Sequence, residues 1–334
     1  MSGLAEYVRI LGRGPGRARA LTEAEAQHAL RLILAGEAAP EATGALLMLM
    51  RYRGETAEEV AGFTRAARDT FAPWPGPAPD VDWPSYAAGR SRGLPLFLLA
   101  ARLVAHSGRR VLLHGWNSHQ SASADVRSAL RDAGIAYAAS PGAAARQITR
   151  AGIAYLPLEA LSPPILDLLR LRETLGLRSC LNTVARMLNP AAAALTVQGV
   201  FHPSYRALQR DAAALLGQPA SLTIKGGGGE FERHPAKPIE IVGLRHGVAV
   251  TETAPPLIPA ARRLADGPDL PPDPASLAAL WAGHVRDDFA EACIVGTAAL
   301  VLQGLRPGLS EARAREDAQR LWARRTAEPE RISA

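Results

Sequence analysis

Residues 172–190 read Arg-Glu-Thr-Leu-Gly-Leu-Arg-Ser-Cys-Leu-Asn-Thr-Val-Ala-Arg-Met-Leu-Asn-Pro, and this stretch says most about the fold. It follows a helix start at Ser162-Pro163, because proline is favoured in the first turn, and Gly176 is a typical residue for ending that helix. A shorter helix is predicted from Ser179 to Leu188, where Asn-Pro stops it. The stretch therefore predicts two helices joined by a tight turn that carries several arginines.

The same stretch resembles a signature of the anthranilate phosphoribosyltransferases, which reads R-x-x-L-G-x-R-T-x-F-N-x-L-G-P-L-x-N-P. Ser179 replaces the threonine, and Ala185-Arg186 stands where the family has Gly-Pro. The matching positions are Arg172, Leu175, Gly176, Arg178, Asn182, Leu188, Asn189 and Pro190. The N-terminal region also resembles the helical domain of this family, at Leu21-Thr22-x-x-Glu25, Gly36-Glu37 and Gly54–Glu59.

The fold is predicted to be α/β with a small helical N-terminal domain. Short apolar segments such as Arg110–His114 and Ile153–Leu156 alternate with helical ones, which is typical of a parallel sheet flanked by helices. The resemblance implies the nucleoside phosphorylase and class II-like phosphoribosyltransferase architecture. The predicted units are a helical domain 1–72 with returning helices 162–188, a Pro-rich linker 73–84, and an α/β domain of 85–161 and 189–334.

The composition is that of a globular protein: 334 residues, of which 48% are hydrophobic. Only Cys180 and Cys293 are present, which argues against a disulfide scaffold or a cysteine-rich zinc site. No apolar run reaches the ~20 residues of a membrane span. We therefore expect a cytoplasmic protein that does not act in a membrane.

The formal net charge is +6, and nearly all of the positive charge is arginine. Only Lys225 and Lys237 of the 38 basic residues are lysine. A GC-rich genome would produce this bias, and so would selection for an anionic partner, because guanidinium groups bind phosphates through two parallel hydrogen bonds. Composition alone does not choose between these two explanations.

The segment Tyr86–Arg90 stands where the transferases have the G-T-G-G-D loop that wraps the diphosphate of phosphoribosyl pyrophosphate. That loop needs glycine so that backbone N–H groups can approach phosphate oxygens. Here it reads Tyr-Ala-Ala-Gly-Arg, so one glycine is kept and the acidic residue is replaced by Arg90. The substitution predicts that diphosphate binding in the family's manner is lost.

The metal-binding motif of the family, H-G-x-D-G-L-D-E, aligns with Lys225–Glu232. Phe231 replaces the first carboxylate of its final pair, and Gly228 replaces the earlier aspartate. Because Mg²⁺ prefers several oxygen ligands, Glu232 with an additional Glu230 predicts no metal site. We accordingly predict no cofactor and no catalytic residue, and His114, at the end of a strand, is interpreted as a binding residue.

Arginines accumulate around this changed site, which predicts a cleft that binds phosphate groups without phosphoribosyl chemistry. Arg90 and Arg186 are basic at positions where the family is not. The competing interpretation is a scatter of solvated arginines. The predicted binding residues are Arg90, Arg170, Arg172, Arg178, Arg186, Lys225 and His114.

These departures resemble the YbiB-like branch of the phosphoribosyltransferase-like proteins. The resemblance is carried by Leu11–Gly14 with Ala18-Arg19, Pro84–Tyr86, Ser162–Pro164, His202-Pro203-x-Tyr205, Gly229-Glu230 and the basic Arg186. It implies largely sequence-independent binding of single-stranded DNA or RNA, and homodimers formed through the helical domain.

Three functions therefore remain open. The main prediction is a non-enzymatic nucleic-acid-binding protein. The alternative is an active transferase that uses phosphoribosyl pyrophosphate or a related substrate in a rebuilt site. The third is a structural or regulatory dimer that binds a small anion.

Overall fold

The protein is described by a computed structural model over residues 3–14, 16–86, 93–116, 125–259 and 270–326. Its N-terminal unit is helical. Thr22 with Glu25 and Thr56 with Glu59 form the two predicted capping boxes, in which each threonine side chain accepts from the glutamate N–H and each glutamate accepts from the threonine N–H. The helices are α1 (Ala5–Gly12), α2 (Glu23–Leu34), α3 (Pro40–Arg53) and α4 (Ala57–Arg68).

Two helices from the middle of the chain complete the apolar core of this unit. They are α9 (Pro163–Leu175) and α10 (Leu181–Arg186), which follow the short α8 (Leu158–Leu161). Gly176 ends α9 with a φ of 71°, a left-handed conformation that glycine adopts without strain. Their buried side chains, among them Ile165 and Val184, belong to one cluster with Leu46 and Phe63 of the N-terminal helices.

The larger unit is a seven-stranded sheet with the strand order β3-β2-β1-β4-β5-β6-β7. β1 to β5 are mutually parallel, whereas β6 and β7 run antiparallel at one edge. The predicted α/β fold with a helical N-terminal domain and a mostly parallel sheet is confirmed. The strands are β1 (Val81–Ser85), β2 (Val111–Gly115), β3 (Ile153–Pro157), β4 (Leu195–Val200), β5 (Ala220–Lys225), β6 (Ile239–Arg245) and β7 (Val248–Ala254).

Helices cover both faces of the sheet, as the alternation of side chains along a strand requires. On β2, Val111 and Leu113 pack into the cluster that contains α5 and α13, while Leu112 packs into the one that contains α7. The remaining helices are α5 (Phe97–His106), α6 (Val126–Ala129), α7 (Pro141–Ala151), α11 (Tyr205–Leu215), α12 (Ala275–Ala282), α13 (Asp288–Leu305) and α14 (Glu311–Arg324).

The structure corrects the predicted linker, because its last residues form the buried strand β1. Proline lacks an N–H and is normally excluded from central strands. Here Pro84 is tolerated because the pairing of β1 with β4 is registered only at Val81 and Asp82, before the proline is reached. Pairing with β2 continues beside it, with Pro84 opposite His114. The part of the predicted linker that has no strand structure therefore ends before Val81.

Among the described residues, one helix, α13, is long and apolar enough to cross a membrane by length and composition alone. Its side chains, including Ile294 and Leu300, lie in the main core of the α/β domain. Gly283, with a φ of 76°, ends α12 before α13 begins. The cytoplasmic location stays a prediction.

Candidate functional site

The carboxyl ends of four neighbouring strands lie side by side, and we call this end of the sheet the strand-end edge. β1 ends at Ser85, β2 at Gly115, β4 at Val200 and β5 at Lys225. Ligands of open parallel sheets bind at this edge, where loops leave the strand ends. The helix α10 reaches the same edge, because Arg186 Nη2 donates a 3.0 Å hydrogen bond to the carbonyl of Tyr86, the residue after β1.

Arg51, Arg172 and Arg186 lie near enough to Arg178 for their charges to act on it, and we call these four residues the arginine cluster. Partial burial lowers the pKa of the Arg178 guanidinium, and the positive charges of the other three lower it further. Arg172 Nη1 is buried and has no hydrogen-bond partner among the described residues. Burial also lowers the pKa of Arg186, although the Glu230 carboxylate opposes that shift.

Such a cluster has a direct chemical meaning. Burial removes the Arg178 guanidinium partly from water, and nearby positive charges repel it. Both effects disfavour its charged form and therefore lower its pKa. An anion placed among them would reverse the repulsion and receive charge-assisted hydrogen bonds. The arrangement is therefore suited to bind a ligand with several negative charges.

A buried polar row joins β1 and β2 at the same edge. His114 Nδ1 is 2.8 Å from the hydroxyl of Tyr86, and His114 Nε2 is 3.1 Å from Asp82 Oδ1. His114 and Asp82 are fully buried, and Tyr86 is 2% exposed. The imidazole therefore contacts protein groups, and the ligand contact that the sequence predicted for His114 is not supported by its position.

The two carboxylates in the segment that aligns with the family's metal motif are also bonded to protein groups. Glu230 Oε1 accepts a 3.0 Å hydrogen bond from Ser85 Oγ, and Glu232 Oε2 accepts one of 2.9 Å from the N–H of Phe97. Phe231 is fully buried, with its ring edge-on to Trp83 at 5.6 Å. In the part of the chain that the structure describes, no three His, Cys, Asp or Glu side chains could together hold a metal ion. These residues do not fit a Mg²⁺ site.

The glycine run after β5 is a folded turn. Residues Gly227–Gly229 form one 3-10 turn in which Gly228 has a φ of 63°. A Cβ on Gly226 would collide with the carbonyl oxygen of Glu230. The glycines thus allow the chain to fold back so that Glu230 and Glu232 lie under the strand ends.

The structure separates the predicted binding residues into groups. Arg172, Arg178 and Arg186 come together, and Lys225 is exposed at the end of β5. Arg170 is exposed, forms an ion pair with Asp167 at 4.0 Å and is not among the arginines whose charges act on Arg178. Arg90 lies outside the described residues.

Arg51 was missed by sequence reasoning, because it belongs to α3 and lies far from the signature in the chain. Its Nη1 donates a 3.2 Å hydrogen bond to the hydroxyl of Tyr205, at the start of α11. The available signal was the pair of basic residues, Arg51 and Arg53, in the last turn of α3. Only the return of α9 and α10 to the helical unit brings that turn next to Arg178.

The aromatic side chains near this edge differ in exposure. Tyr86 is buried, and Trp116 packs partly into the helical core. Phe201, directly after β4, is 63% exposed. The ring of His202 lies edge-on to the ring of Phe201, with 5.0 Å between the two ring centroids.

Comparison with known proteins places the chain in a family. The model of the "Glycosyl transferase family, helical bundle domain" matches residues 5–71. The anthranilate phosphoribosyltransferase of Bacillus caldotenax is 30% identical over 231 residues, which cover 69% of this chain and 94% of that protein. The chain belongs to the anthranilate phosphoribosyltransferase family. The enzyme of Rubrobacter xylanophilus is 34% identical over 215 residues, which cover 64% of this chain and 62% of that protein.

Solved structures of this family share the fold over nearly the whole chain. Anthranilate phosphoribosyltransferase from Thermus thermophilus has a TM-score of 0.77 with 24% identity, covering 98% of this chain and 99% of that one. The Saccharomyces cerevisiae enzyme, in complex with PRPP and Mg, has a TM-score of 0.79 with 14% identity, covering 97% and 94%. At these identities the likeness concerns the fold alone.

Within this family, the chain keeps some signature positions in the site and changes others. Arg172 and Arg178 match the signature, whereas Arg186 and Phe231 depart from it. The kept arginines belong to the arginine cluster, as does Arg186, and Phe231 is a buried side chain where the family's motif has a carboxylate. The site is therefore more basic than the signature predicts, and its remaining carboxylates are bonded internally.

Proposed function

We propose that this protein binds single-stranded nucleic acid, DNA or RNA, through the arginine cluster, with little dependence on sequence. The observation that carries the proposal is the position of Arg172, Arg186 and Arg51 near Arg178, whose pKa is lowered first by burial and further by their positive charges. Repulsion of this kind is relieved by an anion, and a strand supplies one phosphate per nucleotide. Assignment to the YbiB-like branch belongs to the same proposal.

A polymer fits the site better than a small anion, because the exposed Lys225 extends the basic surface beyond the cluster. Lys225 is exposed at the end of β5, next to Val200 of β4 in the register of the two strands. Arg51 reaches the same edge from the last turn of α3, where it donates to Tyr205. A nucleic-acid backbone that runs from Lys225 to Arg51 would meet cationic groups along its length, as sequence-independent single-strand binding requires.

In this account the affinity comes from phosphate contacts and counterion release. No group transfer is involved, so neither a metal nor a catalytic residue is needed. Base identity contributes little, because arginine contacts to phosphates carry no sequence information. Homodimers formed through the helical domain remain part of the proposal.

The second candidate is phosphoribosyl transfer from phosphoribosyl pyrophosphate. The comparisons favour it, because the curated relatives and the structural neighbours described above are anthranilate phosphoribosyltransferases. Arg172 and Arg178 at signature positions are compatible with it. The hydrogen bonds of the carboxylates argue against phosphoribosyl transfer with Mg²⁺, since Glu230 and Glu232 already accept hydrogen bonds from Ser85 and Phe97.

One experiment separates the two candidates. The full chain is titrated into labelled single-stranded DNA and RNA, with Mg²⁺ and with EDTA at matched ionic strength, and is also assayed for turnover of anthranilate with phosphoribosyl pyrophosphate and Mg²⁺. Binding that is equal with and without Mg²⁺, without turnover, supports nucleic-acid binding. Mg²⁺-dependent turnover that Arg172→Ala abolishes would establish the transferase instead.

A further inference from the structure

Phe201 is an unusual residue at the strand-end edge, because it leaves a large apolar ring in water. It is 63% exposed, and it lies between the buried strand β4 and the start of α11. A single exposed apolar side chain is ordinary by itself, so the role of Phe201 depends on what surrounds it at this edge.

The backbone around Phe201 is held on both sides. The carbonyl of Val200, just before it, accepts a 3.2 Å hydrogen bond from the N–H of Gly226, and the carbonyl of His202, just after it, accepts one of 3.2 Å from the N–H of Tyr205. The His202 ring meets the Phe201 ring at an angle of 79°. The aromatic ring is therefore presented by a fixed turn and is supported by a second ring.

This turn is connected directly to the arginine cluster. Tyr205, four residues after Phe201 in the sequence, accepts a hydrogen bond from Arg51. Arg51 in turn adds to the positive field at Arg178. On the other side of the turn, Lys225 is paired with Val200 in the sheet register. The turn that carries Phe201 is thus paired with Lys225 at one end and hydrogen-bonded to Arg51 at the other.

We propose that Phe201 is a stacking platform for one unpaired base of a strand whose phosphates the arginine cluster holds. This inference rests on the proposed nucleic-acid binding and extends it: the ligand must expose a base face. Every base has such a face, so stacking adds affinity without base preference. In a duplex the neighbouring pairs cover these faces, so the platform selects single strands.

The test compares Phe201→Ala, Phe201→Leu and Phe201→Trp with the parent. The ligands are a single-stranded oligonucleotide, the duplex of the same sequence, and an abasic strand with the same backbone. Tyr137→Ala is the matched control, because Tyr137 is also an exposed ring, at 50%, and it pairs with Tyr155 near β3 at the far edge of the sheet. Because Phe201 is exposed, each variant is expected to fold, which thermal unfolding checks.

We expect Phe201→Ala to weaken single-strand binding about tenfold, equivalent to about 1.4 kcal/mol. The salt dependence and the duplex affinity should stay unchanged, Phe201→Leu should behave like the alanine variant, and Phe201→Trp should bind like the parent. The abasic strand should lose about the same factor with the parent protein. Tyr137→Ala should change nothing.

Three results overturn the inference in distinguishable ways. If the parent binds strands with the expected salt dependence but Phe201→Ala binds equally well, the platform is wrong and the nucleic-acid proposal stands. If the parent shows no salt-dependent binding, both fail. A shift from dimer to monomer in Phe201→Ala by light scattering would place the ring in a subunit interface and would also overturn the platform.

Discussion

Arg186 on α10 donates from Nη1 to the carbonyl of Asn182 at 2.7 Å and from Nη2 to the carbonyl of Tyr86 at 3.0 Å, so one partly buried side chain joins the returning helix to the end of β1. Asn182 lies within the same helix, whereas Tyr86 belongs to the α/β domain. Arg186 therefore has a structural role in addition to its charge in the arginine cluster, and the two roles respond differently to mutation.

Arg186→Ala should lower the free energy of unfolding by about 2 kcal/mol, because the Tyr86 carbonyl loses a donor in a buried environment. Denaturant titration of the parent and the variant measures this difference. Arg186→Lys should recover part of the loss, since lysine carries the charge but cannot reproduce both bonds. A variant as stable as the parent would show that the Tyr86 bond contributes nothing.

Arg172→Ala should behave in the opposite way. Its Nη1 is buried without a hydrogen-bond partner among the described residues, and its charge repels Arg178. Removing it should leave the free energy of unfolding unchanged or raise it by a few tenths of a kcal/mol, while weakening nucleic-acid binding. Loss of stability comparable to that of Arg186→Ala would contradict this assignment.

The Glu25 carboxylate gives the stability of the helical unit a defined pH dependence. The hydrogen bond from Arg19 lowers the pKa of Glu25 to about 2 from its usual value, against the opposing effect of burial. Because the folded-state pKa is depressed, this stabilisation is complete above the unfolded-state pKa of about 4.3, and it is lost as the pH falls towards 2.

Glu25→Gln should therefore lower the free energy of unfolding by about 1 kcal/mol at pH 7, the range of a well-placed surface ion pair with a cap. The difference from the parent should shrink between pH 4 and pH 2. Thermal or denaturant unfolding at several pH values measures it. A difference that stays constant across this range would mean that the charge of Glu25 is not responsible.

The helical unit should mediate a homodimer in solution. Tyr52 on α3 is 90% exposed and Leu177, after α9, is 55% exposed, so this unit presents apolar side chains to water. Light scattering at micromolar concentration should give twice the mass of the chain, and Tyr52→Glu should shift the equilibrium towards the monomer. A strictly monomeric parent would contradict the proposed assembly.

Local chemistry made much of the fold predictable. The capping boxes at Thr22 and Thr56 and the helix stop at Gly176 depend on residues near in sequence, and they appear where the sequence indicated them. The strand that contains Pro84 was missed because a proline is excluded only at positions where the strand needs a backbone N–H donor. Whether Pro84 is such a position depends on where the pairing of β1 with the distant strand β4 stops.

The site was less predictable, because burial and long-range contacts decide which side chains face a ligand. His114 is in the expected strand, but Asp82 and Tyr86 enclose it. Arg51 joins the arginine cluster only through the return of α9 and α10, and no local pattern indicates that return. Phe201 is exposed because β4 ends just before it, which is a tertiary property.

The central claim, that the arginine cluster binds strand phosphates, is tested most directly by the salt dependence of binding. The double variant of Arg51→Ala and Arg172→Ala is compared with a control double variant of Arg146→Ala and Arg150→Ala. The control replaces two exposed arginines on α7 and so removes the same charge. Each phosphate contact contributes about 0.7 to the slope of log affinity against log salt on single strands.

The account predicts that the Arg51 and Arg172 double variant binds every single strand more weakly and loses about 1.4 from the slope, while the α7 double variant keeps the slope of the parent. Equal slopes for the parent and the Arg51 and Arg172 double variant, or an affinity that does not depend on salt, would contradict it.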